Sequence, residues 1–204
     1  MTAPEPRRAP SLTGVDLGLA LGIGLAFGAL YGLTATARFA YDGPQLASYF
    51  ASDPHAMHWH VLYLPLARAL EGLVGSDDPF VGLRLLGVLS GGVGVGMSFL
   101  LARLLGLTRG FGLGAALLTG TARNVWFFAS VIEVHAPHLA VVAAASCGVL
   151  LAPWRRPRLA FAITAPLVAL TWTSHASAWI LVPGFAALGG YARARSGASF
   201  DPRR

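Results

Sequence analysis

The chain has 204 residues, 55% of them hydrophobic and only 12% charged, with a mean hydropathy of +0.61. A water-soluble core of this size does not absorb that much apolar side chain, so an ordinary soluble domain is excluded. The formal charge is +6 and every basic residue is Arg, but the arginines flank apolar runs instead of forming one basic face, which argues against nucleic acid as a partner.

Residues 1–13, rich in Pro and Arg, read as a disordered N-terminal tail. A first span is expected over 14–36. Its apolar run, Val15 to Leu33, follows Arg7 and Arg8 and lacks a small-x-small cleavage site, which predicts a retained signal anchor with a cytoplasmic N-terminus. Within it, Gly18/Gly22 and Gly28/Gly32 have the small-xxx-small spacing of close helix packing. Residues 38–60 are polar and aromatic and are placed outside the membrane. Residues 61–74 follow as a short amphipathic piece interrupted by Pro65, with Leu62, Leu66, Ala69, Leu70 and Leu73 on one stripe and Arg68 and Glu71 opposite. That piece is too short to cross about 30 Å of hydrocarbon and is expected to lie along the outer interface.

A second span is expected over 83–102, where the Gly92-Val93-Gly94-Val95-Gly96 run reads as packing surface, not as a nucleotide loop. The third, 111–131, carries Arg123 and Trp126 and ends at Glu133-Val134-His135. The fourth, fifth and sixth are expected over 137–152, 159–174 and 176–191, followed by a cytoplasmic tail at 193–204. Cys147 lies inside the fourth without a second cysteine, which excludes an intrachain disulfide and a multi-cysteine metal site. The expected fold is therefore all-α, a polytopic membrane helical bundle of about six transmembrane helices over 14–192 plus an outer interfacial amphipathic helix.

The arginines test this order. Arg7, Arg8, Arg103, Arg109, Arg155, Arg156, Arg158, Arg193, Arg195, Arg203 and Arg204 fall on the cytoplasmic side, against only Arg38, Arg68 and Arg84 outside, as the positive-inside bias requires. Making 61–74 a full span would invert everything after it. The same order puts all six histidines outside or at the outer ends of spans.

The candidate chemistry gathers there. Asp42 follows the first span closely; it either opens a turn with Gly43 and Pro44 or acts as a general base at the mouth of the bundle. Glu133 lies at an outer helix end, where an ionisable group is costly unless paired or facing a polar cavity. Arg123 lies deeper on the same run and is expected either to pair inside the bundle or to bind a lipid phosphate. His55, His58, His60, His135, His138 and His175 come from separate outer segments. His58 and His60 would point the same way in an extended segment, which admits a divalent metal, but no pair has the i, i+4 spacing of zinc helices. Individual histidines bonding a polar substrate are the expected arrangement, with no metal ligand assigned. Trp59 fits an interfacial belt or a sugar-stacking position.

In order and sidedness these features resemble the GT-C superfamily of membrane glycosyltransferases, in its protein O-mannosyltransferase-like branch. The resemblance rests on Asp42-Gly43 after the first span, His60 to Pro65 leading into an interfacial helix, Trp126 with Glu133-Val134-His135, and His175 near the end of a later span. Pro44 stands where that family commonly has a second acid, the two prolines after its histidine are missing, and His135 replaces its tyrosine. Such enzymes usually have more spans, so the correspondence is expected with their N-terminal part. The resemblance implies transfer of a sugar from a polyprenyl-phosphate carrier to an acceptor hydroxyl with inversion. Asp42 would be the base, with Glu133 beside it as a catalytic residue, and His58, Trp59, His60, Arg123, His135 and His175 would bind substrate. The implied partners are membrane lipid and the lipid-linked sugar, and the implied location is a bacterial cytoplasmic membrane. Two other classes compete: a non-catalytic membrane module, and a transporter or metal-handling protein using the outer histidines.

Overall fold

A computed structural model describes residues 12–36, 38–52, 62–78, 80–154 and 157–196. Among them every regular element is helical, with one isolated bridge pairing Phe39 and Ile132. The helices are α1 (Gly14–Thr34), α2 (Gly43–Ser52), α3 (Tyr63–Val74), α4 (Val81–Leu104), α5 (Arg109–Thr121), α6 (Arg123–Ser130), α7 (His135–Leu151), α8 (Pro157–Ser174) and α9 (Val182–Ser196). Short 3-10 turns follow α7 and α8.

Two of these helices, α1 and α4, are long and apolar enough to cross a membrane, and α7 is apolar but shorter. The centre of the molecule is α4, which packs against α1, α3, α5, α6 and α7. A capping box starts α1: the Thr13 hydroxyl accepts the Asp16 N–H, and the Asp16 carboxylate accepts the Thr13 N–H. The antiparallel crossing of α1 and α4 depends on missing side chains. A Cβ on Gly92 would come within 2.4 Å of the Gly24 carbonyl oxygen, and one on Gly96 within 2.5 Å of that of Ala20. Backbone therefore meets backbone, the close approach that small residues permit between apolar helices. Of the two expected glycine pairs, Gly18 and Gly22 have nothing within 4 Å of where a Cβ would sit. The second pair, Gly28 and Gly32, does face α4, at Val88, and Gly24 extends that packing face.

The third expected span, 111–131, is broken. At Ala122 the backbone leaves helical geometry (φ −59°, ψ 127°), separating α5 from α6. A break in apolar surroundings frees carbonyls that need donors. The buried Tyr31 supplies one, its hydroxyl donating to the Gly120 carbonyl at 2.8 Å. The fourth expected span corresponds to α7, which runs parallel to α4, with Gly94 against Leu139 and Cys147 against the Met97 carbonyl. The fifth corresponds to α8, which returns along α7, Thr164 donating to the Gly148 carbonyl. The sixth, 176–191, begins as a 3-10 turn at Ala176–Leu181 before α9. There α9 continues past 192, so Arg193 and Arg195 occupy its last turn, not a tail.

Two further departures lie near the candidate site. Part of the polar stretch placed outside the membrane forms α2, since Pro44 falls in its first turn, where a missing N–H costs nothing. In α3 the buried positions are Tyr63, Leu64 and Ala67, whereas Leu66, Ala69 and Leu73 of the expected stripe are exposed. The backbone of α3 seats on α4, because a Cβ on Gly82 would collide with the Ala67 carbonyl.

Candidate functional site

Three chain segments converge where α1 ends, α4 begins and α7 begins. After α1 the strand-like stretch at Phe39 pairs with Ile132: Ile132 donates to the Arg38 carbonyl at 3.1 Å, and Thr36 to that of Ser130 at 2.9 Å. That pairing brings Asp42 beside Glu133, across 91 residues of sequence.

Glu133 is fully buried. One carboxylate oxygen accepts the Asp42 N–H at 3.2 Å; the other accepts the Val134 N–H at 2.8 Å and lies 3.3 Å from His135 Nδ1. Its carbonyl accepts the Tyr63 hydroxyl at 3.2 Å. Burial, reinforced by the Glu133 charge, pushes the Tyr63 phenol well above its ordinary range, so Tyr63 serves as a neutral donor. Glu133 thus anchors the turn that carries Asp42. The close fit recurs at Gly43, where a Cβ would stand 2.3 Å from the Ile132 carbonyl oxygen.

Asp42 itself is half-buried and precedes α2, its carbonyl accepting the Leu46 N–H at 2.9 Å. The first turn of a helix favours negative charge there. Its neighbour Tyr41 has φ +45°, left-handed geometry that a bulky side chain adopts only under constraint. The turn closes through the Gly43 N–H donating to the Ala40 carbonyl at 2.7 Å.

The histidines complete the cluster. The rings of His135 and His138 each lie 5.1 Å from that of His175, and Phe128 stacks on His135 at 4.3 Å. His138 Nδ1 is 2.8 Å from the Ser174 hydroxyl, which also lies 2.8 Å from the Thr171 carbonyl. Among the described residues no group of three or more His, Cys, Asp or Glu is placed to hold a metal ion.

No family model, curated protein or solved structure matches the chain. Its chemistry is therefore read from this geometry.

Of the expected site residues, Asp42, Glu133, His135 and His175 are brought together. His58, Trp59 and His60 lie outside the described residues. Arg123 is not paired inside the bundle: the break at Ala122 makes it the first residue of α6, exposed and without an ion pair among the described residues, about 10 Å along that helix from Ser130. Sequence reasoning missed Tyr41, Tyr63, Phe128 and Ser174, whose residue types carry no local signal.

It also missed Asp16. At the opposite end of α1 and α4 this carboxylate is fully buried, 3.1 Å from Arg103 Nε and 2.9 Å from Arg109 Nε. Arg195 reaches the Leu104 carbonyl close by, at 3.2 Å. The molecule therefore has a basic end and an end rich in histidine and carboxylate.

Proposed function

We propose that the chain is the helical core of a membrane glycosyltransferase that moves a sugar from a polyprenyl-phosphate carrier to an acceptor hydroxyl. The convergence of Asp42, Glu133, His135 and His175 at one end of the helices carries this reading. In it, α1, α4, α5 with α6, α7, α8, and α9 with its preceding turn make six crossings of a bacterial cytoplasmic membrane. The N-terminus is cytoplasmic and α3 lies on the outer interface. The exposed Leu17, Leu21, Leu25, Phe111, Leu118 and Phe161 then face lipid, and the exposed stripe of α3 meets the interface.

Asp42 takes the proton of the acceptor hydroxyl as that oxygen attacks the anomeric carbon. The bond to the carrier phosphate breaks, the phosphate leaves with the bonding pair, and the sugar inverts. Glu133 acts as a positioning residue, since both its oxygens already hold the surrounding chain. Arg123, at the start of a half-helix in apolar surroundings, suits the phosphate of the donor. His135, His138 and His175 offer ring nitrogens to sugar or acceptor hydroxyls.

The test is transfer of labelled sugar from a panel of polyprenyl-phosphate donors in membranes containing wild type or Asp42→Asn. Loss of a general base lowers the rate about 10²–10⁴-fold. Correctly inserted wild type that transfers from no donor overturns the reading in favour of a non-catalytic module.

A further inference from the structure

The seam between α1 and α4 leaves an apolar groove that the proposed reaction does not use. Its volume is about 590 Å³, and Leu17, Ala20, Leu21, Val93, Met97 and Leu100 contribute to its walls. It follows α1 from Leu17 to Ala29, about 18 Å at 1.5 Å per residue, close to the roughly 15 Å depth of one leaflet's hydrocarbon.

One end of the groove, at Leu17, Ala20 and Leu100, lies within about one helical turn of the ion pairs that Asp16 makes with Arg103 and Arg109. Ala20 lies four residues after Asp16 and Arg103 three after Leu100, so each pair shares a helix face. Arg109 is 46% exposed there. Its Nε and Nη2 hold Asp16 and Thr13, while Nη1 has no hydrogen bond among the described residues. Two guanidinium groups against one carboxylate leave net positive charge near the end of a largely apolar trough. An amphiphile with an anionic head and one leaflet's length of aliphatic chain satisfies both features. An apolar helix from a partner would satisfy only the trough.

We propose that this groove binds an anionic diacyl phospholipid of the surrounding bilayer, one acyl chain along the α1–α4 seam and the phosphate against Arg109. Basic pockets between membrane helices select such headgroups by charge. The proposal rests on the membrane placement of the chain, which alkaline extraction of membranes tests separately, and is independent of sugar transfer.

The experiment is native mass spectrometry of the purified full chain mixed with equal amounts of phosphatidylglycerol, phosphatidylcholine and a polyprenyl phosphate. One phosphatidylglycerol should be retained about fivefold over phosphatidylcholine, the factor one basic residue contributes at a lipid surface. Arg109→Gln should bring that ratio to one and Arg109→Lys should keep it, while Val93→Trp, which fills the trough, should remove both lipids. Equal retention of the two diacyl lipids overturns the proposal. So does preference for the polyprenyl phosphate, or a dimer that excludes lipid and is abolished by Val93→Trp. Should Arg109→Gln fail to fold, the wild-type ratio and its loss in Val93→Trp decide alone.

Discussion

Glu133 and Asp42 are neighbouring carboxylates with different duties, and the difference lies in what their atoms already hold. Glu133 is fully buried and accepts the N–H groups of Asp42 and Val134 while facing His135. Replacing it with Ala would strand two N–H groups, at about 1–3 kcal/mol for each that remains buried. Glu133→Ala should therefore lower stability by on the order of 2–5 kcal/mol, and Glu133→Gln, which keeps one acceptor oxygen, by about half as much. Unfolding by denaturing detergent measures both; a Glu133→Ala protein as stable as wild type would show that the carboxylate does not anchor the Asp42 turn. Glu133 was legible because a carboxylate ending an apolar run stands out. Tyr41 was not, because its left-handed backbone comes from the closure of the turn and not from its own preference. For Asp16 half of the signal was present: Thr13-x-x-Asp16 reads as a capping box. Its partners Arg103 and Arg109 lie 87 and 93 residues away, beyond any local pattern.

At the scale of elements, the α1–α4 crossing makes the glycines of its two helices unequal. Gly92 presses on α1 backbone, so Gly92→Ala must force the helices apart, at about 1–3 kcal/mol for an overpacked contact. Gly22 faces open space, and Gly22→Ala should instead stabilise α1 by up to about 1 kcal/mol through helix propensity. Thermal melts of the two variants should move in opposite directions; a shared direction would mean that the seam is not formed as described. The long apolar helices α1 and α4 could be read from composition, since length and hydropathy alone decide them. The break at Ala122 could not. Gly120 is one of many glycines in these helices and does not mark the site by itself, and the hydroxyl of Tyr31 that offsets the break arrives from 89 residues earlier. The α2 helix was hidden for the opposite reason: Gly43-Pro44 looks like a turn, but proline in a first helical turn helps to start one.

Across the whole molecule the two ends have opposite chemical character, and under the proposed membrane placement that polarity predicts an orientation. Arg103, Arg109 and Arg195 crowd one end, while the carboxylate and histidine cluster occupies the other. Helix α4, 24 residues and about 36 Å long, separates them. Cytoplasmic loops retain arginine, so the basic end should face the cytoplasm. Single cysteines placed at Asp77, Gly110 and Arg193 in a Cys147→Ser background make this measurable with a membrane-impermeant thiol reagent. Asp77→Cys, just before α4, should label in intact cells; Gly110→Cys and Arg193→Cys should label only after permeabilisation. The pattern depends on α3 lying on the membrane, because a crossing α3 would put position 77 inside and positions 110 and 193 outside. Labelling of position 77 only after permeabilisation would therefore invert everything after α3 and put Glu133 and His135 on the opposite face from Asp42, which breaks up the proposed site. Labelling of all three positions from one side would mean that α4 does not cross the membrane at all.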